Sequence, residues 1–373
     1  MSPRSAPVLA LSWILLTPAV LAQSSPASPS PPPLGWRLSL PEGLSVDGDA
    51  LQRQVTGKGC AGRLLGRKEH PFSEAQVTCD AFLSFVLVQA SLEGRAPPDV
   101  RERLAALLAD ALGRGRAPFH STGSTLVAGR TLPRSGLYRG LLLLMLAGME
   151  RAGLARDEDR VLFDALAART VEDLSHQPLL PSFGTSLWPC DNALVASGLL
   201  LHGRLRGVAS SRVAGERLAA HLVALSQRPE GFPTQVDAKG RAVAKTPRGS
   251  ALAWTAAFLA MSGHPAARTF ADVLLEDFCE RLALFPKAAA CREWPRGVER
   301  PADAASGPLL AGYGQGATAL AIAATRASEQ LQPWHLDLRT TAVLGGIQEH
   351  VSRPERYPLE TALYAWATGL TPW

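Results

Sequence analysis

The sequence of 373 residues is poor in aromatics (6%) and in charge (19%), and it lacks most short motifs that announce a chemistry. It has no Cys-x-x-Cys and no spaced histidine pair, so no metal or other cofactor is expected. No Gly-x-Ser-x-Gly elbow is present. Basic runs interleaved with aromatics are absent too. The net charge of +5 rests almost wholly on single arginines scattered over helix faces, which argues against nucleic-acid binding.

No apolar run is long enough to be a clear membrane span. The longest near the start, Val8 to Ala22, has 15 residues and is broken by Pro18. With Arg4 before it and small Val20 and Ala22 at its end, it reads as a signal peptide over 1–22, an uncleaved anchor being the alternative. No Cys follows the run, so lipid attachment is not indicated. Residues 23–34 form a Ser/Pro-rich linker, and 35–373 are expected to make one exported domain, periplasmic or extracellular, with no stable membrane span after cleavage. Of the five cysteines, Cys60 and Cys79 are close enough to bridge, and Cys190 and Cys291 sit in polar loops as possible thiols. Cys279 reads as a small buried hydrophobe, and at least one thiol should be free.

What the chain does have is a period. Six segments that are apolar nearly all round begin near Ala81, Gly136, Ala193, Ser250, Ser306 and Leu359, with spacings of 55, 57, 57, 56 and 53 residues. Between them lie amphipathic stripes: Val100, Leu104, Leu107 and Ala111; Leu162, Leu166 and Leu174; Ala214, Leu218, Leu222 and Leu225; and Phe270, Leu274, Phe278, Leu282 and Phe285. Helices apolar all round must be buried, and helices with one stripe cover them. The expected fold is all-α, an (α/α)6 toroid of six helical hairpins, with Pro41 to Val55 as the missing outer partner. One small β-hairpin is expected from Phe232 to Lys245, turning at Ala238-Lys239-Gly240.

Polar residues collect in the loops before the apolar helices. These loops hold Thr78-Cys79-Asp80, Pro133-Arg134-Ser135, Trp188-Pro189-Cys190-Asp191-Asn192, Thr246-Pro247-Arg248-Gly249, Cys291 to Gly297 with Asp303, and Glu355 to Pro358. Parallel inner helices bring six N-termini to one mouth, where free N–H groups suit an anion or an oxygen-rich ligand. Asp80, Ser135, Asn192, Ser250 and Ser306 are also ordinary capping residues. Capping does not account for Asp191, Glu293 and Asp303, which are the candidate proton donor and acceptor. Arg134 and Arg248 are expected to hold negative charge, with Trp188, Asn192, Trp294 and Tyr357 lining the cleft. His202 reads as a satisfied core histidine. Gly312 to Ala317, with Asp337 downstream, imitates a dinucleotide loop, but no β-branched strand precedes it. Gly312 and Gly316 are expected instead to let helices approach closely.

The motifs Trp188-Pro189-Cys190-Asp191-Asn192, Pro247-Arg248-Gly249-Ser250 and Asp303-Ala304-Ala305-Ser306-Gly307-Pro308 resemble those of an uncharacterised bacterial exported family. Over residues 70–370 the pattern is similar to (α/α)6 toroid enzymes: six-hairpin glycosidases, polysaccharide lyases and linalool dehydratase-like proteins. The resemblance implies an active site at the mouth and a hydrolase or lyase acting on a glycan or other polyhydroxylated, anionic or neutral molecule. A dehydratase or isomerase using Cys190 and a non-catalytic envelope scaffold are the alternatives. The expected partner is a small molecule or glycan, and the oligomeric state is open.

Overall fold

The computed structural model describes residues 35–60, 74–301, 306, 309–326, 328–369 and 372–373; the expected signal peptide, the linker and Asp303 lie outside them. In chain order the helices are α1 (Gly48–Arg53), α2 (Ala75–Leu92), α3 (Val100–Gly113), α4 (Gly136–Arg151), α5 (Asp157–His176), α6 (Pro189–Arg206) and α7 (Ala209–Ser226). They continue with α8 (Gly249–Met261), α9 (Ala266–Asp277), α10 (Gln315–Thr325), α11 (Gln332–Leu344), α12 (Ile347–Ser352) and α13 (Pro358–Gly369).

The apolar helices form a closed inner ring. α2 packs on α4, α4 on α6, α6 on α8, α8 on α10, α10 on α13, and α13 returns to α2. Every residue of α4 from Gly136 to Met149 is buried, as is every residue of α6 from Pro189 to Gly203. α3, α5, α7 and α9 bury one stripe each, led by Leu104, Leu166, Leu218 and Phe270, and turn charged faces outward. The expected (α/α)6 toroid is therefore the fold. α11 packs on α10 as the fifth outer helix, and the sixth outer position is filled by short pieces. The π-helical turn Gln54–Lys58 packs on α2 and α3, and α12 lies on α13.

Close approach of α4 and α6 depends on two glycines that face each other's helix. A Cβ on Gly140 would stand 2.5 Å from Cβ of Leu194, and one on Gly198 would stand 2.5 Å from Cβ of Leu143. Gly198→Ala should therefore push the helices apart, at about 1–3 kcal/mol of strain typical of overpacking. A chemical-denaturation midpoint unchanged from wild type would contradict this packing.

Among the described residues the strands are short and all antiparallel, and five hairpins appear where one was expected. They are β1 (Arg37–Ser39) with β2 (Ser45–Asp47), β3 (Ser124–Val127) with β4 (Arg130–Pro133), β5 (Gln235–Val236) with β6 (Ala242–Ala244), β7 (Cys279–Leu282) with β8 (Phe285–Cys291), and β9 (Leu309–Leu310) with β10 (Tyr313–Gly314). The expected hairpin is β5–β6; Asp237 Oδ1 accepts from the N–H groups of Lys239 and Arg241, and Gly240 takes φ +75°. The stripe from Phe270 to Phe285 is only half helix. α9 stops at Asp277, and Phe278 to Phe285 passes into β7–β8, whose paired strands are joined by a Cys279–Cys291 disulfide. Cys279 is thus a bridging residue, not a lone hydrophobe, and Cys291 is not a free thiol. Cys60 and Cys79 are bridged, which leaves Cys190 as the free cysteine.

Three helix starts also moved. α6 begins at Pro189 rather than near Ala193, so Cys190, Asp191 and Asn192 lie inside it and Asn192 is no cap. α2 begins at Ala75, so Thr78, Cys79 and Asp80 lie inside it and Asp80 is no cap. α10 begins at Gln315 because residues 309–314 form β9–β10, whose turn carries Gly312 at φ +85°. Gly312 serves that turn rather than helix packing. Ser135 is the N-cap of α4 as expected, its Oγ accepting from the N–H of Tyr138 at 3.2 Å. Four of these hairpins precede inner helices.

Candidate active site

A cavity of about 810 Å³ opens where the inner helices begin, and all six contribute to its wall. From the early turns come Thr78 of α2, Leu137 of α4, Asp191 of α6, Ser250 of α8, Gln315 of α10 and Glu360 of α13. Six helix N-termini thus surround one space, and the positive ends of their dipoles favour negative charge there.

Asp191 is the acid that this arrangement singles out. Pro189 occupies the first helical position of α6 after an extended Trp188, which places Asp191 in the first turn with its side chain on the wall. Burial raises its pKa from 3.8 to about 7; the Ser182 hydroxyl and Cys190 thiol oppose the rise, and the charge of Glu74 adds to it. Glu74 also lines the cavity. Cys190 Sγ lies 3.8 Å from Asp191 Oδ1. Burial, with Asp191 beside it, pushes the Cys190 thiol well above its usual range despite Arg248, so it stays protonated at neutral pH and is a poor nucleophile.

Arg248 immediately precedes α8 and reaches the wall, but it is not a free cation. Its Nε donates to Glu293 Oε1, Ser250 Oγ donates to the same oxygen at 2.7 Å, and the guanidinium lies 4.9 Å from the Trp294 ring centre. Glu293 is fully buried just beyond β8 and is absent from the wall. Its backbone also accepts from the N–H of Gly249, where a Cβ would collide with the Arg292 carbonyl oxygen. Glu293 therefore anchors the start of α8, and its expected place as an acid in the mouth is not realised.

Of the residues expected from the sequence, Asp191, Cys190, Trp188 and Arg248 meet at the cavity. Arg134 does not. One residue before the Ser135 cap, its side chain runs outward to Asp173 (3.1 Å), which also holds buried Arg139 (2.7 Å) and Arg169 (2.8 Å). Asn192 is fully buried and ties the loop before α6, accepting from Leu180 N–H at 2.8 Å and donating to the Leu180 and Trp188 carbonyls at 3.0 Å. Trp294 backs Arg248, and Tyr357 stacks on His350 with ring centres 4.3 Å apart; neither lines the cavity. His202 bonds Ser211 and Asp164 at 2.9 Å each, and none of the three reaches the cavity, so it is a satisfied core histidine.

The wall also holds Glu74, Glu360, His350, Trp254 and Phe82, which the sequence did not single out. Glu74 was hidden by the late start assigned to α2. Glu360 and His350 sit in or beside helices whose pattern carries no signal for them.

No family model matches the chain, and no curated protein matches it in sequence. Solved structures do match in fold. An unsaturated glucuronyl hydrolase from Bacillus sp. GL1 is similar with a TM-score of 0.52 at 13% identity, over 86% of this chain and 94% of that one. A family 76 glycoside hydrolase (mannosidase) from Bacteroides thetaiotaomicron VPI-5482 gives 0.51 at 9% identity, over 87% and 97%. A D-mannose isomerase gives 0.50 at 14% identity, over 86% and 96%. At these identities the likeness speaks for architecture alone, and with the closed ring of six inner helices it identifies the chain as an (α/α)6 toroid.

Proposed function

We propose that this chain is an exported carbohydrate-active enzyme, a hydrolase or lyase, in which Asp191 is the proton donor. The observation that carries the reading is a buried carboxyl with a pKa of about 7, set in a cavity ringed by six helix N-termini. Near neutral pH such a group exists in both forms, which is what general acid catalysis requires. Asp191 would protonate the leaving oxygen as the C–O bond breaks. Glu74, whose charge reaches Asp191, would take the proton from water or from the sugar carbon. The helix N-termini would stabilise the carboxylate that Asp191 becomes. Similarity in fold to two glycoside hydrolases and a sugar isomerase supports the substrate class.

The test is turnover on a glycan and glycoside panel, reading new reducing ends for hydrolysis and an unsaturated product for elimination. Absence of both would favour a binding or scaffold protein. Export is supported by the disulfides Cys60–Cys79 and Cys279–Cys291, which persist in oxidising compartments. Mass spectrometry of the native protein should find Gln23 as the first residue. An intact Met1 would refute cleavage.

A further inference from the structure

The cavity wall is far more apolar than a site for an unsubstituted oligosaccharide needs. Phe82, Phe183, Trp188 and Trp254 provide aromatic surface, and Leu137, Leu282, Leu320, Ile347, Leu359 and Leu363 provide aliphatic surface. Aromatic faces suit sugar rings, but leucine and isoleucine satisfy no hydroxyl, and an unsatisfied buried hydroxyl is unfavourable.

The hydroxyl groups on the wall are already committed. Thr78 donates to the Glu74 carbonyl (2.9 Å), Thr234 to that of Thr246 (2.9 Å), Thr318 to that of Cys291 (3.4 Å) and Thr341 to that of Ala289 (2.6 Å). Ser250 donates to Glu293 (2.7 Å), Tyr313 to Glu280 (2.6 Å) and Tyr364 to Glu42 (3.3 Å). Each has one proton to give, so none of the seven is a donor for a ligand oxygen. The apolar surface continues outward. Leu310 lines the cavity yet is 82% exposed, and Leu284, beside Leu282 of the wall, is 87% exposed. Isolated exposed leucines are ordinary, but Leu310 is part of the wall of an apolar cavity.

We propose that the ligand of this cavity is amphiphilic: a compact hydroxylated head, such as a single sugar, bearing an aryl or alkyl group that fills the apolar wall. The head lies by Asp191, and the apolar group extends across Leu320 and Leu363 toward Leu310. This deepens the enzymatic reading of the same site, so its test measures binding separately from turnover.

The probes are methyl, butyl, hexyl and octyl glucosides with phenyl glucoside, all below micelle formation, titrated calorimetrically beside a cello-oligosaccharide. Affinity should rise about fourfold per added methylene until the cavity is full. Octyl or phenyl glucoside should bind more tightly than the oligosaccharide, and whichever is tighter tells an alkyl from an aryl occupant. Ala319→Trp and Ala342→Trp, both on the wall, should stop the gain at a shorter chain. Thermal melts check that the variants fold; should they not, the wild-type series alone decides. Flat affinity along the series, no binding of any probe, tighter binding of the oligosaccharide, or a length dependence unaltered in both folded Trp variants would overturn the proposal. Binding with chain-length dependence but without turnover would sustain it while refuting the enzymatic reading.

Discussion

Asp191→Asn should remove turnover by roughly 10²–10⁴-fold while making the protein more stable at neutral pH. The loss follows because an amide cannot give up a proton near neutral pH. The stability gain follows from linkage. Asp191 has a folded pKa of about 7 against an ordinary aspartate value of 3.8. Between those values the unfolded chain releases the proton that the folded one keeps. Wild-type stability therefore falls as pH rises from about 4 to about 7 and levels off above. The amide variant, with no proton to lose at this position, would lack this dependence. Its melting temperature should exceed that of wild type at pH 8, and the gap should close as pH falls toward 4. Wild-type activity should in turn decline above pH 7, as the acid form disappears. A capping role alone would leave activity intact, since asparagine caps about as well as aspartate. Full activity in the variant would reassign the proton donor, with Glu74 and Glu360 as the next carboxylates on the wall.

Leu143→Asp should unfold the domain. Leu143 is fully buried in α4, and its Cβ lies against Gly198 of α6. An aspartate there would meet only the closely packed faces of the inner ring. The cost of a buried carboxyl without a partner, added to the lost packing, is at least about 4 kcal/mol, comparable to the whole stability of many domains. Arg268→Asp on α9 is the control. Arg268 is partly exposed and pairs with Asp272, an exposed i, i+4 bridge whose loss should cost no more than about 1 kcal/mol. Far-ultraviolet circular dichroism and denaturation midpoints compare the two, and equal stability would contradict the two-ring arrangement.

Much of the fold was legible because its cause is local. A helix that is apolar on every side announces its own burial, and six at near-even spacing admit few architectures. The boundaries were less legible. Ala75 to Asp80 carries no strong breaker, so only packing shows that α2 starts early. The segment after Asp277 satisfied the helical period through Phe278, Leu282 and Phe285, yet it forms strands because its partners lie across a hairpin. A one-dimensional pattern holds no record of such pairing.

The site divides in the same way. Asp191 was visible in sequence, since proline at a helix start followed by an acid is a local signature. Arg134 and Arg248 look alike in sequence, each basic and each just before an inner helix. Their fates differ because α5 offers Asp173 to one and the end of β8 offers Glu293 to the other. The Cys60–Cys79 bridge was suggested by spacing, whereas Cys279–Cys291 required the strand register to be seen. By itself the sequence determined the class of fold, the end of the toroid that gathers polar residues, and Asp191 as an acid there. Those features follow from periodicity and helix-start chemistry, which act within a few residues. Only the tertiary structure decided that Glu293 and Arg134 are held elsewhere, that Glu74 joins Asp191, and that the wall is apolar with its hydroxyls committed. Each of those depends on which side chains meet across the ring.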